Sequence, residues 1–197
     1  MNADGKVVAK IAELGLLLLQ DRTLRNAVEL LIDGPIRGSW WSHPEAHRVY
    51  ATLEKVEASR DVMVTKLVGG KVTYVHRKLW PAVLAVATAS EAWQTRGLSP
   101  EARRLFSGLD RNPSVDATGV AVKEVEKRLL AHGEEIHTAA GRHATRLESW
   151  RSWAASVGCR PLGSADEAKR VLEQAVERIG GSPALLLPWH STRKGGR

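Results

Sequence analysis

The chain has 197 residues, 43% of them apolar, with 29 Lys and Arg against 22 Asp and Glu, a net charge of +7 and a pI near 9.9. That is enough apolar sequence for one large domain or two small ones, and the charge favours anionic partners. A single cysteine, Cys159, excludes an intramolecular disulfide and a cysteine-rich zinc site, and reads as a small buried hydrophobe in a reducing cytoplasm.

In chain order, Val7, Ile11, Leu14 and Leu18 recur at the helical period, and Leu24, Ala27, Val28 and Leu31 do so again after Asp21. Two amphipathic helices are expected. The run Leu16–Leu19 is too short to span a bilayer and lies near Lys10, Glu13 and Gln20, so neither a membrane span nor a signal peptide is expected. Asp33-Gly34-Pro35 ends the second helix. After the loop Gly38-Ser39-Trp40-Trp41-Ser42-His43, Pro44 opens a third helix over about 44–58. On it Ala46, Val49, Tyr50, Leu53 and Val56 should face the core, and His47, Arg48, Thr52 and Lys55 should lie on other faces.

Residues 62–80 follow as two β-branched runs around Gly69-Gly70, which reads as a tight hairpin because both central turn positions need positive φ. The hairpin holds Lys66, Lys71, Arg77 and Lys78, and no acidic residue occurs between Asp61 and Glu91. An alanine-rich helix from Pro81 to about Arg96 should come next, with Trp80 in the core. Residues 99–119 are rich in Ser, Pro, Asp, Asn and Gly and read as a linker region with a brief helix at 101–109. Beyond it the pattern predicts a helix near 120–132, a short extended piece at 134–138 and a helix near 142–156. A helix over 165–179 has Ala168, Val171, Leu172, Ala175, Val176 and Ile179 on one face. Ala184–Leu187 reads as a short buried strand or docking segment, and 191–197 as a disordered basic tail. No internal repeat is evident. The expected organisation is a domain over 1–98, the linker region, a small α+β domain over 120–190 and the tail: an α+β protein, mainly α.

The order of three helices and a two-stranded hairpin, over roughly residues 22–80, resembles the winged-helix DNA-binding domain. The resemblance implies a reading helix with its approach, Arg37, His43, His47, Arg48, Thr52 and Lys55, and a wing bearing Lys66, Lys71, Arg77 and Lys78. Lysine and arginine at those places would neutralise phosphates, and Arg48 or Thr52 could meet base edges in a major groove. The alternative is a solvated helix face and a hairpin edge protected by lysine. Arg142 and Arg146, four apart on the predicted 142–156 helix, could form a second reading face, with Trp150 and Trp153 as core or interface anchors. Trp40 and Trp41 could stack on unpaired bases, although at least one should anchor its loop to the core.

DNA, or RNA, is thus the expected partner, with no membrane, no cofactor and no metal. The leucine run offers a seam for a homodimer. His43 and His47 lack the glutamate of a zincin motif and sit across Pro44. His132, Glu134, Glu135, His137 and His143 could support acid–base chemistry on nucleic acid if they converge on the Trp40–His43 loop, but their spacing matches no known motif. A third reading is a protein-interaction module on the same scaffold. Phosphate-binding Gly-x-x-x-x-Gly-Lys-Ser/Thr, dinucleotide Gly-x-Gly-x-x-Gly and nucleophile Gly-x-Ser-x-Gly runs are all missing, so nucleotide hydrolysis, nicotinamide chemistry and serine hydrolysis have no sequence support.

Overall fold

The buried stripe Val7, Ile11 and Leu14 belongs to helix α1 (Ala3–Leu14), which stops where Gly15 takes a φ of 93°. A computed structural model describes residues 2–34, 38–137 and 143–190. Leu16–Leu18 then form strand β1 with all three side chains fully buried, so Leu18 does not continue the first helix and the leucine run is no external seam. A run apolar at every position suits a short strand covered on both faces. Helix α2 (Ala27–Ile32) begins at Asn26, whose side chain accepts the Glu29 N–H at 3.0 Å, and helix α3 (Ala46–Glu57) follows a 3-10 turn at Trp40–Ser42.

Strands β2 (Val62–Thr65) and β3 (Thr73–His76) pair antiparallel, with Met63 opposite Val75, and β3 pairs on its other side with β1, Leu17 opposite Tyr74. The sheet order is β1-β3-β2. The second strand of the expected hairpin is therefore central. The glycines do hold positive φ, 60° at Gly69 and 68° at Gly70, but within a connection over 66–72 that is longer than a two-residue turn. Leu67 and Val68 in that connection are buried, so the loop folds inward. This helix–strand–helix–helix–strand–strand unit resembles a winged-helix-like topology in part.

The expected 81–96 helix is two helices, α4 (Trp80–Ala87) and α5 (Ala92–Thr95), separated at Ser90 with φ 54°. Buried Gln94 returns its side-chain N–H to the Ala87 carbonyl at 2.9 Å and so ties the break together. Within residues 99–119 the brief helix expected at 101–109 is α6 (Pro100–Gly108), and the stretch beyond it, expected as linker, holds β4 (Ser114–Ala117). Then come α7 (Val120–Lys127), β5 (His132–His137) and β6 (His143–Glu148). Residues 143–148, expected in a helix, are a strand. Ser149 caps helix α8 (Trp150–Val157) by accepting the Ser152 N–H at 3.1 Å. Helix α9 (Ala165–Arg178) is where its periodicity predicts, and the segment expected as a short buried strand or docking segment is helix α10 (Pro183–Leu186).

The second sheet has the order β4-β6-β5, antiparallel throughout, like the first sheet with its last strand central. Its preceding helix α6 packs on α7 as α1 packs on α3. The buried positions Val49, Thr52, Leu53 and Val56 recur with the same spacing as Val122, Val125, Glu126 and Leu129. The chain therefore contains two related units that its sequence does not reveal as a repeat. Leu98, Ala102, Leu109, Val122, Val125 and Leu147 form a small core of the second unit, while α8 and α9 join the large core of the first and pack on α4.

At the junction, His132 on β5 packs against both Trp150 and Trp153, with ring centroids 5.6 and 5.5 Å away, and its ring hydrogen-bonds the Val64 backbone on β2. Trp153 meets Trp80 edge-on at 5.3 Å; the Trp80 and Trp150 indoles donate to Val75 and Leu129 carbonyls at 3.0 and 2.8 Å. Burial disfavours the imidazolium and pushes the His132 pKa down to about 4. A histidine near 6.5 when unfolded takes up its proton before the folded one does, so stability falls as pH drops from about 6.5 to about 4. The shift corresponds to about 3 kcal/mol across that window. Urea unfolding of the wild type and His132→Gln at pH 7 and pH 4.5 should show a smaller loss in the variant. Equal losses would remove His132 as the source.

Candidate nucleic-acid interface

The exposed surface of α3 is not basic. Thr52, expected outside, is 8% exposed and its hydroxyl donates to the Arg48 carbonyl at 2.8 Å, while Tyr50, expected inside, is 40% exposed. The helical period fixes the stripe, but its edges are decided by what packs there. Arg48 donates to Glu45 at 2.6 Å and to the Leu31 carbonyl at 2.7 Å, so it braces α2 against α3. His47 and Lys55 are exposed. With Glu45, Glu54 and Glu57, the open side of α3 carries three carboxylates against the two cations Arg48 and Lys55. Burial, with Glu135 and Glu54 nearby, pushes the Glu57 carboxyl up, although the Tyr74 hydroxyl donates to it at 2.9 Å. Burial and the same Glu57 push the Tyr74 phenol well up.

The four hairpin cations each have an acceptor. Lys66 donates to Glu126 of α7 at 2.6 Å, with the two side chains 25% and 7% exposed. Lys71 pairs with Asp21 at 2.5 Å; Lys71 is half exposed and Asp21 is 5% exposed. Burial opposes the Asp21 charge, but donation from Lys71 and the Thr23 and Leu24 N–H groups outweighs it and holds the carboxyl well below its usual range. Arg77 meets Asp61 at 3.2 Å on the surface. Lys78 donates to the Ala12 and Glu13 carbonyls and so caps the C-terminal end of α1. The Gly69 N–H donates to the Leu186 carbonyl at 2.7 Å, which docks the loop tip on α10.

Arg146 lies on β6 opposite Asp116 of β4 and Glu134 of β5, and holds Asp116 at 2.9 and 3.1 Å. It sits on no reading helix. Arg37, Arg142 and the tail 191–197 lie outside the described residues. Trp40 is 5% exposed and anchors its loop; Trp41, 58% exposed, stacks on it at 4.1 Å and tilts against Tyr50 at 5.4 Å. His43 accepts the Glu45 N–H on its Nδ1 at 3.2 Å. His132 and His143 sit at opposite ends of the β5–β6 ribbon, His132 against the tryptophans and His143 beside Glu135 at 2.7 Å. Among the described residues no group of three or more His, Cys, Asp or Glu could hold a metal, and no helix is long and apolar enough to cross a membrane.

A second concentration of charge lies where the first hairpin meets α7. A Cβ at Gly70 would fall 2.6 Å from Lys127 Cε, so the Lys127 stem crosses the loop tip next to Lys71. Lys123 is one turn earlier on the open face of α7, and Arg22 adjoins Asp21. All four cations are exposed. The acids of the same region face inward: Glu126 to Lys66, and Glu124 to Ser99 and Arg128. Sequence reading missed Lys123 and Lys127 because α7 alternates them with Glu124 and Glu126, and only burial shows which charges stay outside.

No protein-family model, curated protein or solved structure matches the chain.

Removing the Lys66 charge leaves the buried Glu126 carboxylate unpaired. Lys66→Gln should therefore cost about 3 kcal/mol, whereas Arg77→Gln, on an exposed pair, should cost under about 1 kcal/mol. Chemical denaturation of both variants at pH 7 measures the contrast; equal costs would show that the Lys66 pair is not what fixes α7 to the hairpin.

Proposed function

We propose that the protein binds nucleic acid, double-stranded DNA in the first instance, through the basic seam formed by Arg22, Lys71, Lys123 and Lys127. The observation that carries the reading is the sorting of charge at that seam: Arg22, Lys123 and Lys127 are exposed around the Lys71–Asp21 pair, and Glu124 and Glu126 are turned inward. The overall charge of +7 supports it, as does the partial winged-helix-like order of α1-β1-α2-α3-β2-β3. In this reading α3 does not lead into the groove, because its three carboxylates would face phosphates. The hairpin loop contributes Lys71, and α7, the counterpart of α3 in the second unit, contributes the helix. Contacts of this kind give affinity without naming a sequence.

The Trp41–Tyr50 pair favours a second reading, an interaction module that binds protein, since two exposed aromatics tilted against each other beside carboxylates suit a partner carrying a basic or apolar side chain. Salt separates the two. Three to four phosphate contacts predict a log–log slope of affinity against salt near about −3 on duplex DNA. Fluorescence anisotropy with random duplex and single-stranded DNA across a salt series should show that slope for the wild type. It should also show at least a tenfold loss for the combined Arg22→Gln, Lys123→Gln, Lys127→Gln variant, which leaves the Lys71–Asp21 pair intact, and little change for Lys55→Gln. Undiminished binding in the triple variant, or none by the wild type at low salt, would sink the seam and leave the protein-binding reading.

A further inference from the structure

The two units differ by one helix. Between β1 and β2 the chain places α2 and α3; between β4 and β5 it places only α7. The pattern of buried residues makes α7 the counterpart of α3, so it is α2 that has no equivalent. In the first unit α2 lies against α1 and α3 beside the end of β1, where the Val28 N–H donates to the Leu19 carbonyl at 3.1 Å, and it buries Ala27, Val28 and Leu31. Arg48 of α3 reaches its last turn.

The corresponding place in the second unit is an open groove of about 650 Å³ between α6, the end of β4 and the start of α7. It is lined by Leu105, Val115, Ala117, Val120 and Ala121, with Ala121 at the position where α3 has Arg48. Val120 is 82% exposed. Its polar members are largely engaged with one another, Ser99 donating to Glu124 at 2.7 Å and Arg104 to Glu101 at 2.9 Å. Among the described residues β4 is also an edge strand, with one side unpaired in its sheet.

We propose that this groove is the seat of a short amphipathic helix supplied by a partner protein, occupying the place that α2 fills in the first unit. The chain states the chemistry of the occupant in its own α2: about two turns, small and branched apolar residues at i, i+1 and i+4, and a polar cap before the first turn. The inference stands apart from the nucleic-acid reading, since none of the four seam cations lines the groove.

A peptide with the sequence of residues 22–34, held helical by a staple on its outward face to remove the ordering cost, is the probe. Titrated into the isotopically labelled full chain, it should give saturable NMR shifts centred on Leu105, Val115, Ala117 and Ala121. Val120→Glu, which changes an exposed position, should leave the thermal unfolding temperature unaltered and abolish those shifts. A peptide of the same composition with its apolar residues scattered around the helix should produce none. Shifts on α1 and α3 instead, or no shifts with the designed peptide, would overturn the proposal. So would concentration-dependent shifts at the groove without peptide that vanish in Val120→Glu, because the occupant would then be a second copy of this chain.

Discussion

The arrangement of the molecule rests on the contact of His132 with Trp150, Trp153 and the Val64 backbone. Each aromatic pair contributes about 0.5–1.5 kcal/mol beyond its burial, and here four rings from β5, α8 and α4 share one site. With β5 held against β2, α7 comes over the first hairpin and Glu126 comes within reach of Lys66. Gly133, next to His132, admits this approach: a Cβ there would lie 2.6 Å from Glu126 Oε1. This packing accompanies a hairpin that does not project into solvent but is buried at Leu67 and Val68 and docked at Gly69 on the Leu186 carbonyl of α10. It also settles which charges reach the surface.

Two units with one strand order but unequal helices explain how the cores are shared. The first unit has α1, α2 and α3 to cover its sheet and fills its interior with Val7, Ile11, Leu17, Val49 and Tyr74. The second has α6 and α7 only, and its own core is correspondingly small. What it lacks is supplied by attachment, since Leu129, Trp150 and Trp153 belong to the larger core that continues through α4 and α9. A unit of this size would be marginal by itself, because small domains bury too little surface to offset chain entropy. The junction is therefore the second unit's main source of order, and the groove beside α7 is where its incomplete cover shows.

Much of the fold was legible in the sequence, wherever one pattern continued over a whole element. The stripes of α3 and α9, the glycines that need positive φ and the mainly helical α+β class all follow from residue spacing and backbone sterics. Leu16–Leu18 misled because a fully buried strand has no alternation, and Val7, Ile11, Leu14 and Leu18 continue a helical register across Gly15. The expected helix near 142–156 misled in the same way, since Ala144, Leu147, Trp150 and Ala154 recur at a helical spacing that runs across the strand–helix boundary at Ser149. The repeat escaped because it is conserved in strand order and burial, with α2 missing from one copy, and not in residue identity. Within the candidate interface, the sequence showed the cations and not their partners. Glu126 lies sixty positions from Lys66 and Asp21 fifty from Lys71, so the charge balance of the hairpin is a property of the tertiary fold.

That balance redirects the electrostatic argument. A lysine over a buried carboxylate contributes a dipole, and its far field is that of a nearly neutral pair; a lysine without such a partner contributes a full charge at the range set by the Debye length. Lys66 and Lys78 are occupied in holding α7 and α1, and α3 sets its cations against three carboxylates. Lys123, Lys127 and Arg22 carry their charge outward on either side of the Lys71–Asp21 pair. A polyanion approaching the protein therefore meets attraction at the seam between the units before it meets any at the helix that topology alone would nominate. The same Lys66–Glu126 bond that removes one cation from the surface is what holds α7, with two others, against the loop tip.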